Sequence, residues 1–188
     1  GQLCITRLQE LVAATSNLQT RAGLRIRLAS RCRMINERSA DPPYTQAYIV
    51  EQYEEAIKDD PTNADNILVC AEVCVALRRY SRAKELALEV LEKFNPNNVR
   101  AKDVLYSVML FTGHYEEADQ ILADRYSGFE KNSPMRLYKQ ANLLMEKGEY
   151  ESALKLLDEM DRRTRGGCVF TLLYHQLTES DWIPQTSA

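Results

Sequence analysis

Three stretches of the chain, Arg79-Tyr80-Ser81-Arg82-Ala83, His114-Tyr115-Glu116-Glu117-Ala118 and Glu149-Tyr150-Glu151-Ser152-Ala153, align on a tyrosine and on the alanine three residues after it. Tyr80, Tyr115 and Tyr150 succeed one another at 35 residues, and Ala83, Ala118 and Ala153 keep the same spacing. An apolar run of helical period follows each: Leu86, Val90 and Leu91; Ile121 and Leu122; Leu154, Leu157 and Met160. Polar turn segments separate the units, Asp60-Pro61-Thr62-Asn63, Asn95-Pro96-Asn97-Asn98 and Asn132-Ser133-Pro134. Coincident signals at a single period identify a repeat, which decides the fold before any other feature.

The spacing has a physical cause. Two helices of about 12 residues with two short turns consume about 35 residues, and one such hairpin cannot bury its apolar face alone. The small alanine lets the second helix approach the first. The tyrosine before it packs its ring at the turn and can keep its hydroxyl wet. Gly113 and Gly148 precede two of the tyrosines, where a helix end can use a left-handed residue. Proline after Asp or Asn stops one helix and starts the next.

These residues resemble the tetratricopeptide (TPR) superfamily, whose pattern places Trp-x2-Leu-Gly-x2-Tyr on a first helix, Ala-x3-Phe on a second and Pro at the closing turn. Ile67-x2-Cys70-Ala71-x2-Cys74, Ala83-x3-Ala87 and Pro96 fill those places once; Leu137-x2-Gln140-Ala141-x2-Leu144 and Ala153-x3-Leu157 fill them again. The middle unit departs, with Lys102 at the Trp position and Tyr106 at the small one, but keeps Ala118-x3-Leu122. One residue beyond the usual 34 is placed at the Lys93-Phe94-Asn95-Pro96 turn. The match spans roughly residues 46 to 162. It implies an all-α, right-handed α-solenoid of antiparallel helix hairpins, about three and a half repeats with end helices. The expected organisation is an N-terminal helix (1–19), a divergent first hairpin (20–63), TPR-like repeats at 64–98, 99–133 and 134–165, a capping helix (166–180) and a mobile tail (181–188).

Composition is ordinary for a soluble domain, with 45% hydrophobic and 27% charged residues, and seven Gly and six Pro leave little room for irregular chain. A net charge of -3 points to neither nucleic acid nor a membrane surface as a general partner. No apolar run reaches bilayer length and the N-terminus has no charged-then-apolar leader, while Gly1 in place of Met points to a piece of a longer chain. Cys4, Cys32, Cys70, Cys74 and Cys168 are odd in number and irregular in spacing, as expected of free thiols in a reducing compartment, cytoplasmic or nuclear.

Chemistry finds little support. Cys70 and Cys74 share a helix face, but no second Cys or His pair completes four zinc ligands, so both are read as core. His114 and His175 have no adjacent nucleophile or orienting acid, and Arg165-Gly166-Gly167 is a lone breaker. No enzyme activity, cofactor or metal is expected. Arg21, Arg25, Arg27, Arg31, Arg33 and Arg38 crowd one segment; on a helix Arg27, Arg31 and Arg38 share a side, with Leu24, Leu28 and Ile35 as the buried stripe. The preferred reading is a solvated face balanced by Glu51, Glu54, Glu55, Asp59 and Asp60; the rival is a basic patch for nucleic acid or an acidic protein.

The resemblance implies that partners bind on a concave surface lined by the first helix of each hairpin. Its exposed positions would be Leu68, Val69, Glu72, Val75 and Ala76; then Asp103, Val104, Ser107, Leu110 and Phe111; then Tyr138, Lys139, Asn142 and Met145. The carboxylate clamp for Hsp70 or Hsp90 tails is absent, because Leu68, Val69, Glu72 and Val104 stand in its places. The expected function is a protein-interaction adaptor holding a peptide or amphipathic helix on this groove, within a larger multiprotein complex and without a membrane. The alternatives are a segment of a longer or self-associating solenoid, and the arginine patch. Asp181-Trp182-Ile183-Pro184 is a further candidate occupant of the groove.

Overall fold

The structure is a computed structural model and describes residues 2–127 and 133–164. Among the described residues all regular structure is helical: α1 (Gln2–Ala14), α2 (Leu18–Asn36), α3 (Gln46–Asp59), α4 (Ala64–Ala76), α5 (Tyr80–Lys93), α6 (Val99–Phe111), α7 (Tyr115–Arg125), α8 (Pro134–Glu146) and α9 (Tyr150–Thr164). The expected capping helix, the 181–188 tail, His175 and the Trp182 segment lie outside the described residues.

Capping chemistry sets where the first helices begin. Asn63 accepts from the Asp65 and Asn66 amides, Asn98 from Ala101 and Ser133 from Arg136, which gives the turn residues a second 35-residue period. Pro134 sits in the first turn of α8, where its missing N–H costs nothing. The second helices α5 and α7 begin differently, at Arg79 and His114 without a side-chain cap. Each follows a tight turn whose first helix ends in a left-handed residue: φ is +57° at Arg78, +79° at Gly113 and +81° at Gly148. At α4 and α8 this turn closes with a long backbone bond, Arg79 N to Cys74 O at 2.7 Å and Glu149 N to Leu144 O at 2.8 Å.

The described residues divide into two compact bodies, one up to Thr112 and the other from Gly113 onward. In the first, each helix packs on its sequence neighbour, and α4 also meets α6. Short turns make those neighbours antiparallel, and contact between alternate helices is what stacked hairpins require. Ile5, Leu28, Cys32, Ile49, Tyr53, Ile67, Cys70 and Leu86 are almost fully buried. Ala71, Ala83, Ala87 and Ala101 are wholly so, which lets the backbones approach closely. Tyr106, at a position where the resemblance leads one to expect a small residue, is buried at 4% exposure.

Polar side chains tie α2, α3 and α5 together. Asp59 accepts from Arg21 and Arg25, with both Nε–Oδ2 distances at 2.9 Å, and Arg25 also reaches Gln52 at 3.0 Å. Arg82 on α5 grips Glu54 on α3 with two bonds of 2.7 and 2.8 Å. The loop between α2 and α3 is closed by Asn36, whose side chain donates to the Tyr44 carbonyl at 2.6 Å and accepts from the Tyr44 amide at 3.1 Å.

In the second body α8 packs on both α7 and α9. Leu137, Ala141 and Leu157 form its core, with Tyr138, Met145, Tyr150, Leu154 and Leu156 packed partly buried against them. Ala118 and Ala153 are fully buried, like Ala83 in the first body.

Candidate interaction surfaces

The α4–α6 contact leaves an open face on the first body. A depression of about 270 Å³ lies there, lined by Glu72, Val75, Arg100, Asp103, Val104 and Ser107. The residues arrive by helical spacing: Glu72 and Val75 are three apart on α4, and Arg100, Asp103, Val104 and Ser107 follow one side of α6. Glu72 is exposed, while Val69, Val75, Asp103 and Ser107 are half-buried.

Three expected groove positions need correction. Leu68, Val104 and Leu110 are 1%, 4% and 6% exposed, so these three belong to the core. A helix inside a stack is packed from more than one side, and a single apolar stripe read from sequence underestimates how much of it is covered. Phe111 is open, at 53% exposure, and its ring stacks on Tyr80 with centroids 6.1 Å apart. Arg100 was not among the sequence candidates. It bridges Glu72 at 3.0 Å and Asp65 at 2.8 Å, so the surface carries three acids and one base. Only the spatial meeting of two helices reveals it.

On the second body, Tyr138 and Met145 pack against the Leu137–Ala141–Leu157 core, and Lys139 and Asn142 on the same helix are half-buried. The apolar pair expected to line an open groove therefore belongs largely to the packing between α8 and its neighbours.

The arginines of α2 fall into two sets. Arg21 and Arg25 serve Asp59, and Arg33 lies 3.6 Å from Glu37. The expected acidic balance operates here through Asp59, with Glu55 3.9 Å from Arg25, whereas Glu54 is taken by Arg82. Arg27, Arg31 and Arg38 are exposed and make no ion pair with a described carboxylate. Arg38 lies two residues beyond the end of α2, and in the expected buried stripe only Leu28 is fully covered.

Cys32, Cys70 and Cys74 are buried, whereas Cys4 is exposed. Burial pushes Cys32 up to about 11, and a hydrogen bond with Cys74 together with burial raises Cys70 well above its ordinary value. Among the described residues no group of three or more His, Cys, Asp or Glu is placed to hold a metal, and no helix is long and apolar enough to cross a membrane.

No protein-family model matches the chain, and no curated protein matches it in sequence. Solved structures do match its fold. A MamA structure (AMB-1) is 20% identical over 78% of this chain and 80% of its own, with a TM-score of 0.57. A point variant of MamA is 19% identical over 90% of this chain and 86% of its own, at 0.60. The likeness is one of fold: an all-helical, tetratricopeptide-like repeat.

Proposed function

We propose that this chain is a protein-interaction module that holds a segment of a partner on the face formed by α4 and α6, without catalysing a reaction. The observation that carries this reading is the mixed-charge depression between Glu72, Val75, Arg100, Asp103, Val104 and Ser107. Its apolar part, the half-buried Val75 beside the largely buried Val104, offers a seat for a small aliphatic side chain. Its polar part is held by Arg100, whose partners are exposed. Ion pairs of that kind contribute about 0–1 kcal/mol, so an arriving group can replace them at little cost.

Three carboxylates, Asp65, Glu72 and Asp103, stand near one guanidinium, and this balance favours a partner presenting Lys or Arg beside an aliphatic residue. A terminal carboxylate would meet repulsion there, in keeping with the missing chaperone clamp. An extended or helical peptide fits such a face, as in other groove-type recognition.

The reading is tested by placing a photo-crosslinking amino acid at Ser107 in the full chain and identifying the attached segment by mass spectrometry. A discrete basic-aliphatic segment is expected, and Asp103→Lys should abolish its attachment while the helical circular dichroism stays unchanged. Diffuse labelling that Asp103→Lys leaves intact would rule this face out.

A further inference from the structure

We propose that the face shared by α1 and α2 is a second docking groove, shaped and charged for an acidic amphipathic helix of a partner protein. Two depressions, of about 520 and 610 Å³, share Cys4, Arg31 and Met34 and so form one trough. It follows α2 from Ile26 to Ile35, continues past the helix end to Arg38 and Ser39, and runs along α1 from Cys4 to Leu8.

The floor is apolar. Leu8, Ile26 and Ile35 are half-buried, and Met34 is 37% exposed. Methionine adapts its shape to varied apolar partners. Met34 is among the large hydrophobic residues that stand exposed in the described chain, and it lies where the two depressions meet.

The rim is basic. Arg27, Arg31 and Arg38 line the trough, and no carboxylate does. The acids of α1 and of the end of α2 are engaged elsewhere, Glu10 by Arg7 and Glu37 by Arg33. Asp59 is held by Arg21 and Arg25, on another side of α2. The rim cations therefore wait for negative charge from outside. The helical part of the trough, Ile26 to Asn36, is about 15 Å long, or three turns. Arg27 and Arg31 stand one turn apart, which matches carboxylates spaced i, i+4 on a partner helix. Nucleic acid fits less well, because no aromatic side chain lines the trough to stack a base and the apolar floor would face a phosphate chain.

The test is fluorescence anisotropy of the full chain with a labelled synthetic helix of about 18 residues, some five turns. It carries leucines on one face and glutamates flanking them, and the control has lysine for every glutamate. The acidic helix should bind and the lysine version should not. Joint Arg27→Glu and Arg31→Glu substitution should weaken the acidic helix by more than about tenfold and create affinity for the lysine version. Met34→Glu should weaken binding even at high salt, where rim charges are screened. Circular dichroism verifies that each variant is folded. Equal binding of both helices, or an unchanged affinity in the double variant, overturns the proposal. So does oligo-uridine RNA held by the same arginines when the acidic helix is not, since the site would then be one for phosphate. A dimer in sedimentation that Arg31→Glu dissociates would assign the trough to a second copy of the chain and overturn it equally.

Discussion

Asp59 is the residue on which most polar order in the first body converges. It is 8% exposed and accepts from Arg21 and Arg25. Its carboxyl is held below the ordinary 3.8, first by the Arg21 hydrogen bond and then by Arg25, while burial opposes them. Glu54 is held below 4.5 chiefly by its bond from Arg82. Both are groups whose pKa is depressed on folding, so their contribution is complete above the unfolded values near pH 4–4.5 and is lost as pH falls through the lower folded ones. Thermal unfolding of the full chain should show a melting temperature that declines below about pH 4.5, with a shallower decline in Asp59→Asn. At pH 7 the same substitution should cost about 2–3 kcal/mol, because it leaves two part-buried guanidiniums facing a neutral amide. A neutral-pH melting point unchanged by Asp59→Asn would remove the cluster from any account of stability. None of this network was legible in the sequence beyond a general balance of charge. Arg21 and Arg25 lie 38 and 34 residues from Asp59, and the chain offers no local mark that this acid serves them while Glu54 serves Arg82.

At the scale of the element, the first-to-second helix turn recurs with one exception. Gly113 and Gly148 hold left-handed backbone two residues before Tyr115 and Tyr150. Arg78 holds the same position before Tyr80 at φ +57°. Arginine in that region carries about 1–2 kcal/mol of steric cost that glycine does not. Arg78→Gly should therefore stabilise the chain by roughly 0.5–1 kcal/mol, after the larger entropy of glycine in the unfolded state is subtracted. Gly148→Ala should destabilise it by about 1 kcal/mol, although no neighbouring atom stands within 4 Å of where the Cβ would go. Urea unfolding of the two variants measures both signs, and destabilisation by Arg78→Gly would show that the arginine side chain contributes more than its backbone costs. This element was half legible. Tyr, Ala and Gly announced the turn because their chemistry repeats locally, and Ala83, Ala118 and Ala153 are all fully buried. Arg78 was hidden because its conformation, and not its type, is what repeats. The exposure of Leu68, Val104 and Leu110 was misread for a related reason: burial by neighbouring helices depends on the stack and leaves little trace in the helix's own pattern.

For the molecule as a whole, a repeat built from neighbouring contacts should transmit strain poorly. Within the first body every helix leans on adjacent ones, α4 on α3, α5 and α6, and none of the packing described there needs a residue distant by several hairpins. The second body has its own core in Leu137, Ala141 and Leu157. Such an arrangement behaves as a line of local units whose opening free energies differ, unlike a single core that opens all at once. Damage to the α2–α3 ion cluster ought then to loosen its surroundings and leave distant amides protected. Hydrogen exchange followed by mass spectrometry on full-length Asp59→Asn gives the measurement. Peptides from α2 and α3 should exchange faster, by about 30- to 150-fold for a local loss of 2–3 kcal/mol. Peptides from α8 and α9 should keep wild-type rates, because their protection comes from contacts the substitution does not touch. Equal acceleration across α2, α3, α8 and α9 would mean that the chain opens as one cooperative unit, and the picture of independent local stability would have to be abandoned.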